Sequence, residues 1–227
     1  MATITWLSHA TWLIETGDFR ILLDPFLTDN PTANVKPDDL QGITHVLISH
    51  GHFDHVADAA KIANENNATL IAIFEIAQWF ATNHEVESTL GMNIGGAAKM
   101  PWGTVKMTPA IHSSQLPDGS YGGEPAGFLV TIEGKRIYFA CDTALFSDMK
   151  LYAYGVDVAV LPIGDLFTMG IDDSLAATKL IEPARVVPTH YNTWPPIEQD
   201  AALWADSIKQ QTNANPIVLS VGESFEL

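Results

Sequence analysis

Hydrophobic positions in this chain fall into short runs, and the polar breaks between them predict alternating strands and helices. TITWLS, ATWLIET and FRILLD, within the first 24 residues, are short and rich in β-branched and aromatic side chains; Gly17-Asp18 between the last two reads as a turn. A loop with Pro25, Pro31 and Pro37 follows. HVLIS (His45 to Ser49) is a compact apolar strand, Val56 to Asn67 has helical spacing, ATLIAIF is another strand, and Glu75 to Asn83 a second helix. Strands are expected near Thr104–Pro109, Gly127–Ile132 and Lys135–Cys141. Thereafter VDVAVLPI reads as strand, SLAATKLI as helix, ARVVPTH as strand, EQDAALWADSIKQQ as helix and PIVLS as strand. Hairpins with β/α alternation imply an α/β (α+β) protein, its sheet covered by helices. With no internal repeat, low-complexity tract or linker, residues 1–227 are read as one domain.

Four predicted strands run into a residue that can bind metal: HVLIS into His50, VKMTPAI into His112, RIYFAC into Asp142 and ARVVPT into His190. Ligands of open α/β sheets gather beyond the carboxyl ends of strands, so these four can converge. SHGHFDH is more specific, placing His50, His52, Asp54 and His55 in one tight turn before a helix. Imidazole and carboxylate suit zinc, iron and manganese. Packed together without a cation, such groups lose their hydration and gain no partner.

The H-x-H-x-D-H motif, followed by a later His, a later Asp and a final His, resembles the metallo-β-lactamase superfamily over nearly the whole chain. WLSHATWLIE, LLDPFLT and LPIGDLFTMG look like a branch of small uncharacterised metal-dependent hydrolases related to the L-ascorbate-6-phosphate lactonases. The resemblance implies a four-layer αββα sandwich with two divalent metal ions at one edge. His50, His52 and His112 would hold the first ion, and Asp54, His55 and His190 the second, with Asp142 bridging. Zinc is the first expectation for both; manganese, nickel and iron suit the same donors. Two such ions make hydroxide available at neutral pH to cleave a small-molecule lactone, ester or phosphoester. Asp142 and Asp54 are then catalytic, Asp54 aiming the nucleophile.

Other residues keep two readings. His9, in the SHAT segment, is a proton donor for the leaving group or orients a ligand from behind. Asp24 accepts a hydrogen bond from a ligand imidazole or forms the turn before Pro25. Cys141, where the branch more often has Gly, is a soft extra ligand or a small buried hydrophobe. Tyr121, on the loop of about 15 residues from Ser113 to Gly127, and Tyr191 and Trp194 after His190 line the pocket wall or serve ordinary packing. His45 and His84 read as a strand residue and a helix-end residue.

Composition narrows the function. Apolar residues make up 47% of the chain, enough for a core, and 27 acidic against 11 basic side chains give a formal charge of −16. So few Lys and Arg argue against a nucleic-acid partner, and the acidic balance against an anionic membrane. The expected partner is a small-molecule substrate. Six tryptophans leave room for a contact surface, so a homo-oligomer stays open. One cysteine, and a start without the basic and apolar segments of a signal peptide, make the cytoplasm the expected location. Alternatives in the same fold are a nuclease and an iron-dependent oxidoreductase; a metal-binding protein without catalysis is another. Gly51, where flavodiiron oxygen reductases carry a ligating Glu, and the lack of a flavodoxin-like segment count against redox chemistry.

Overall fold

The computed structural model describes all 227 residues. β1 (Thr3–Ser8), β2 (Thr11–Thr16), β3 (Phe19–Leu23), β4 (His45–Leu47), β5 (Thr69–Ile73) and β6 (Thr89–Met92) lie side by side in chain order, and β14 (Ser224–Glu226) adds an edge beyond β1. The second sheet repeats the scheme with β7 (Ala97–Met100), β8 (Gly103–Pro109), β9 (Ala126–Ile132), β10 (Lys135–Phe139), β11 (Val158–Pro162), β12 (Arg185–Thr189) and β13 (Asn215–Pro216). In each sheet the earlier strands pair antiparallel; pairing turns parallel from β3–β4 onward in one and from β10–β11 onward in the other. Parallel neighbours need crossovers, and helices supply most of them. α2 (Ala59–Asn66) and α3 (Phe74–Asn83) cover the first sheet; α5 (Ile171–Ile181) and α6 (Ala201–Gln211) cover the second, with α4 (Met149–Ala153) against α5.

The two sheets face each other across one core. Trp12 of β2 lies 6.3 Å from Phe139 of β10, and its indole N–H donates to Thr189 Oγ1 of β12 at 3.1 Å. Sixty-two buried residues from both halves form a single hydrophobic cluster, and the outcome is the αββα sandwich of the metallo-β-lactamase fold. No helix is long and apolar enough to cross a membrane.

Several boundaries differ from the sequence reading. The helix expected over Val56 to Asn67 is two: α1 (Phe53–Val56) stops, and α2 restarts after Asp58. Asp58 does not cap α2; its carboxylate accepts hydrogen bonds from Leu27 N, Thr28 N and Thr28 Oγ1 (2.7, 2.9 and 2.6 Å), tying the break to the proline loop. In place of the strand expected over PIVLS there is a two-residue strand, Asn215–Pro216, followed by one further bond from Ile217 N to Val186 O at 2.8 Å. β10 ends at Phe139, two residues short of Cys141, whose backbone is left-handed (φ 54°). β6, β7, β14 and α4 are additions that short, weakly patterned segments do not announce.

Strand ends at one edge share a backbone habit. His9, Asp24, Cys141 and His190, just past β1, β3, β10 and β12, have φ of 51, 45, 54 and 54°. Non-glycine residues occupy this region at a cost of about 1–3 kcal/mol each, and such strain clusters at functional sites.

Candidate metal centre

From β4 the chain passes Ser49 and His50 into a turn, and His52 begins α1 with an extended backbone. That single helical turn buries Asp54 and His55 and leaves Phe53 facing out. Gly51 is closely packed: a Cβ there would lie 3.2 Å from the backbone of Gln115 and Leu116, so the second half of the chain presses on the turn.

All seven predicted residues meet. His52 Nδ1 lies 2.9 Å from His50 Nε2 and 3.3 Å from His112 Nε2. Asp54 Oδ2 is 3.7 Å from the Nε2 atoms of both His55 and His190. Between these groups, Asp142 Oδ2 faces the Nε2 atoms of His190, His55, His112 and His50 at 3.1, 3.4, 3.6 and 4.0 Å. Three sets of donor atoms close enough to share a cation result: His50 with His52 and His112; Asp54 with His55, His190 and His9; and His50 with His55 and Asp142.

Outer contacts orient the rings. Asp24 Oδ2 is 2.9 Å from His55 Nδ1 and 2.6 Å from Ser49 Oγ, which reaches His50 Nδ1 at 3.0 Å; Asp24 Oδ1 accepts from Ser49 N. One carboxylate thus steadies a ring in each half of the cluster, settling Asp24 as a hydrogen-bonding partner as well as a turn residue. Ser113 Oγ lies 3.2 Å from His52 Nε2. Outer protons held in this way point the opposite nitrogens inward as lone pairs.

Electrostatics follow from burial against charge. Burial opposes the charged form of His190, but the Asp142 carboxylate overrides it and raises the ring to about 9. Burial likewise opposes a charged His55, and Asp142, Asp54 and Asp24 together raise it well above the ordinary range. Burial also works against the two carboxylates, yet His190 and His55 hold Asp142, and His55, His190 and His9 hold Asp54, far below the ordinary value. His9 runs the other way, pulled down to about 3 by burial and the nearby His190.

A cation fits this centre. His55 Nε2, both ring nitrogens of His190 and Asp142 Oδ1 are buried without a hydrogen-bond partner within the protein. Orphaned polar atoms of that number in one spot are unusual, and a divalent ion satisfies the inward ones.

The residues with open readings find their places. His9 is fully buried, with Asp54 Oδ2 3.0 Å from Nε2 and Thr193 Oγ1 2.8 Å from Nδ1, the placement that the reading of a ligand oriented from behind expects. Tyr121 is turned away: the loop folds on itself through Leu116 N to Ser120 O and Gly122 N to Ser114 O (2.9 and 3.0 Å), leaving the phenol 64% exposed and bonded to Glu124. Tyr191 is buried under the site, stacked 5.3 Å from Trp6. Cys141 is buried and outside every donor set. Trp194 does line the cavity of about 490 Å³ over the centre, with His52, Asp54, His112, Asp142 and His190 beneath and Phe53, Ser113, Leu166 and Phe167 around it. The sequence reading missed these last four; only the LPIGDLFTMG segment pointed toward Leu166 and Phe167.

Gly164 sets the position of His190, because a Cβ there would collide with the His190 carbonyl oxygen. Gly164→Ala should cost about 1–3 kcal/mol, read as a melting temperature lower by several degrees, and weaken metal retention at the same time.

Residues 19–191 match the beta-lactamase superfamily domain. The solved structure of Igni18, a metallo hydrolase from the hyperthermophilic archaeon Ignicoccus hospitalis, is similar with a TM-score of 0.88 at 35% identity, covering 100% of this chain and 99% of that one. Fold and cluster together define a metal-dependent hydrolase of the metallo-β-lactamase fold. A UPF0173 metal-dependent hydrolase from Pelotomaculum thermopropionicum is 45% identical over 230 residues, 99% of each chain, and one from Archaeoglobus fulgidus 42% identical over 230 residues, 98% of each. The chain belongs to this UPF0173 family of the beta-lactamase superfamily.

Proposed function

We propose that the centre holds two divalent cations, zinc foremost, and hydrolyses a small-molecule lactone, ester or phosphoester. His50, His52 and His112 hold one cation; Asp54, His55 and His190 hold the other. The observation that carries this reading is Asp142, whose Oδ2 lies within 4.0 Å of ring nitrogens from both sets. When bound, such a pair supplies Lewis acidity toward a substrate oxygen and brings the pKa of a water down toward neutrality. The chain does the rest. His9 donates from Nε2 to Asp54 and accepts the Thr193 hydroxyl at Nδ1, holding the Asp54 carboxylate at the cavity floor, where it orients an attacking water. Phe53, Leu166, Phe167 and Trp194 line the cavity above the donors, where a bound substrate would displace water from them.

Elemental analysis of the purified protein, coupled to a screen of lactones, esters and phosphodiesters, tests this. Two equivalents of metal are expected, with turnover that fails in Asp54→Asn. A protein that takes up no metal, or whose turnover requires oxygen and iron, would overturn it.

Metal uptake should release protons. At pH 7.5 the metal-free protein carries protons on His55 and on His190, whose value is about 9, and a cation must displace them. About two protons per chain should appear when zinc is titrated into weakly buffered metal-free protein. Affinity should climb with pH through about 9, where His190 deprotonates unaided. The sign for stability is opposite: the charge on His190 stabilises the metal-free fold fully below its ordinary value of 6.5 and no longer does so above about 9.

A further inference from the structure

The walls of the cavity carry information about the substrate that the metal donors do not. On one side stand Leu166 and Phe167, 67% and 55% exposed; on the other stand Phe53, 59% exposed, and Trp194. Single exposed apolar residues are ordinary, but four around one opening form a contact surface. The Leu166 side is held there against backbone preference. Asp165 and Leu166 are consecutive non-glycine residues at φ 60 and 50°, and for a bulky leucine that conformation is rare. The turn is fastened at both ends: Asp165 N donates to Met169 O at 3.1 Å, Met169 N to Thr143 O at 3.0 Å, and Leu166 N to the Asp165 carboxylate at 2.8 Å. Strain secured in this way presents Leu166 and Phe167 beside Asp142 rather than letting them fold onto the surface. The opposite wall is rigid, because Phe53 and Trp194 lie 6.0 Å apart and both rest on buried Phe26, at 5.8 and 5.7 Å.

Charge is the second observation. None of the chain's 11 Lys and Arg lines the cavity. A phosphate carried at a distance from the reacting carbonyl would lie against these walls, stripped of water and without a cation to pair.

Resting on the hydrolase reading above, we infer that the substrate is an uncharged ester or lactone whose apolar substituent lies between Leu166–Phe167 and Phe53–Trp194. Water oxygen bonds to the carbonyl carbon, the acyl C–O bond breaks, and the departing alcohol oxygen takes a proton, leaving an acid and an alcohol.

The test uses metal-loaded protein with p-nitrophenyl acetate, butyrate and octanoate, p-nitrophenyl phosphate and bis-p-nitrophenyl phosphate. Burial of added methylenes should raise kcat/KM at least about tenfold from acetate to octanoate, and both phosphate esters should fall well below octanoate. In L166S/F167S the octanoate-to-acetate ratio should drop toward one. Octanamide, titrated calorimetrically, reads the walls without turnover and should bind the variant at least about fivefold more weakly, with metal content unchanged. A ratio and an octanamide affinity unaltered by the two substitutions, or a preference for the phosphate esters, overturns the assignment. Octanamide binding that depends on Leu166 and Phe167, with no ester or lactone cleaved by the loaded protein, supports the apolar walls and instead overturns the hydrolase reading.

Discussion

Asp142→Ala should leave the purified protein without its full metal complement and lower kcat/KM at least about a thousandfold, about 4 kcal/mol of lost transition-state stabilisation. The size follows from position. Asp142 Oδ2 lies within 4.0 Å of ring nitrogens in both donor sets, so in the proposed centre its removal would take away the carboxylate that the two sets share. Elemental analysis and kinetics on the same preparation check the prediction. His84→Ala is the control: His84 follows α3 and packs at a tilt 4.4 Å from the Trp79 ring, outside every donor set. Its loss should change neither reading. Metal lost from the His84 variant, or full activity in Asp142→Ala, would contradict the assignment of the centre.

The second large effect is expected at Asp24, which touches no cation. Asp24→Asn keeps the shape and can still accept from Ser49 N, but an amide N–H replaces the oxygen facing Ser49 Oγ and His55 Nδ1. The amide then donates to His55 Nδ1 and drives the ring proton onto Nε2, where the centre needs a lone pair. Metal affinity should fall about 10–100-fold, and the metal-free protein should unfold at a lower temperature, because the charged His55 loses one of its buried carboxylate partners. Competition with a chromophoric chelator measures the first and thermal unfolding the second. Wild-type affinity in a folded Asp24→Asn protein would show that the carboxylate does not set the His55 tautomer.

The sequence disclosed the centre better than its surroundings, and the reason is range. SHGHFDH is local, so four donors could be read from one turn, and His112, Asp142 and His190 were visible because each ends a strongly apolar strand. Asp24 remained ambiguous because its partners, Ser49 and His55, are 25 and 31 residues away. His9 kept two readings because its neighbour Thr193, which fixes the ring beside Asp54, is 184 residues distant. The Asp58 junction between α1 and α2 was missed because it depends on contacts with Leu27 and Thr28 that periodicity does not encode. Tyr121 stayed open for the same reason: the loop's own small hairpin, bridged at Gln115 and Tyr121, leaves the ring exposed.

The repetition of the strand scheme in two sheets bears on how the molecule comes apart. His50, His52, Asp54 and His55 belong to the half that ends with β6; His112, Asp142 and His190 belong to the half that begins with β7. Neither half can assemble either donor set alone, so each bound cation rivets one to the other across the seam between the sheets. Heat resistance should therefore rise with free metal concentration by mass action, and in a metal-starved cell this edge is the place where the sandwich would begin to open.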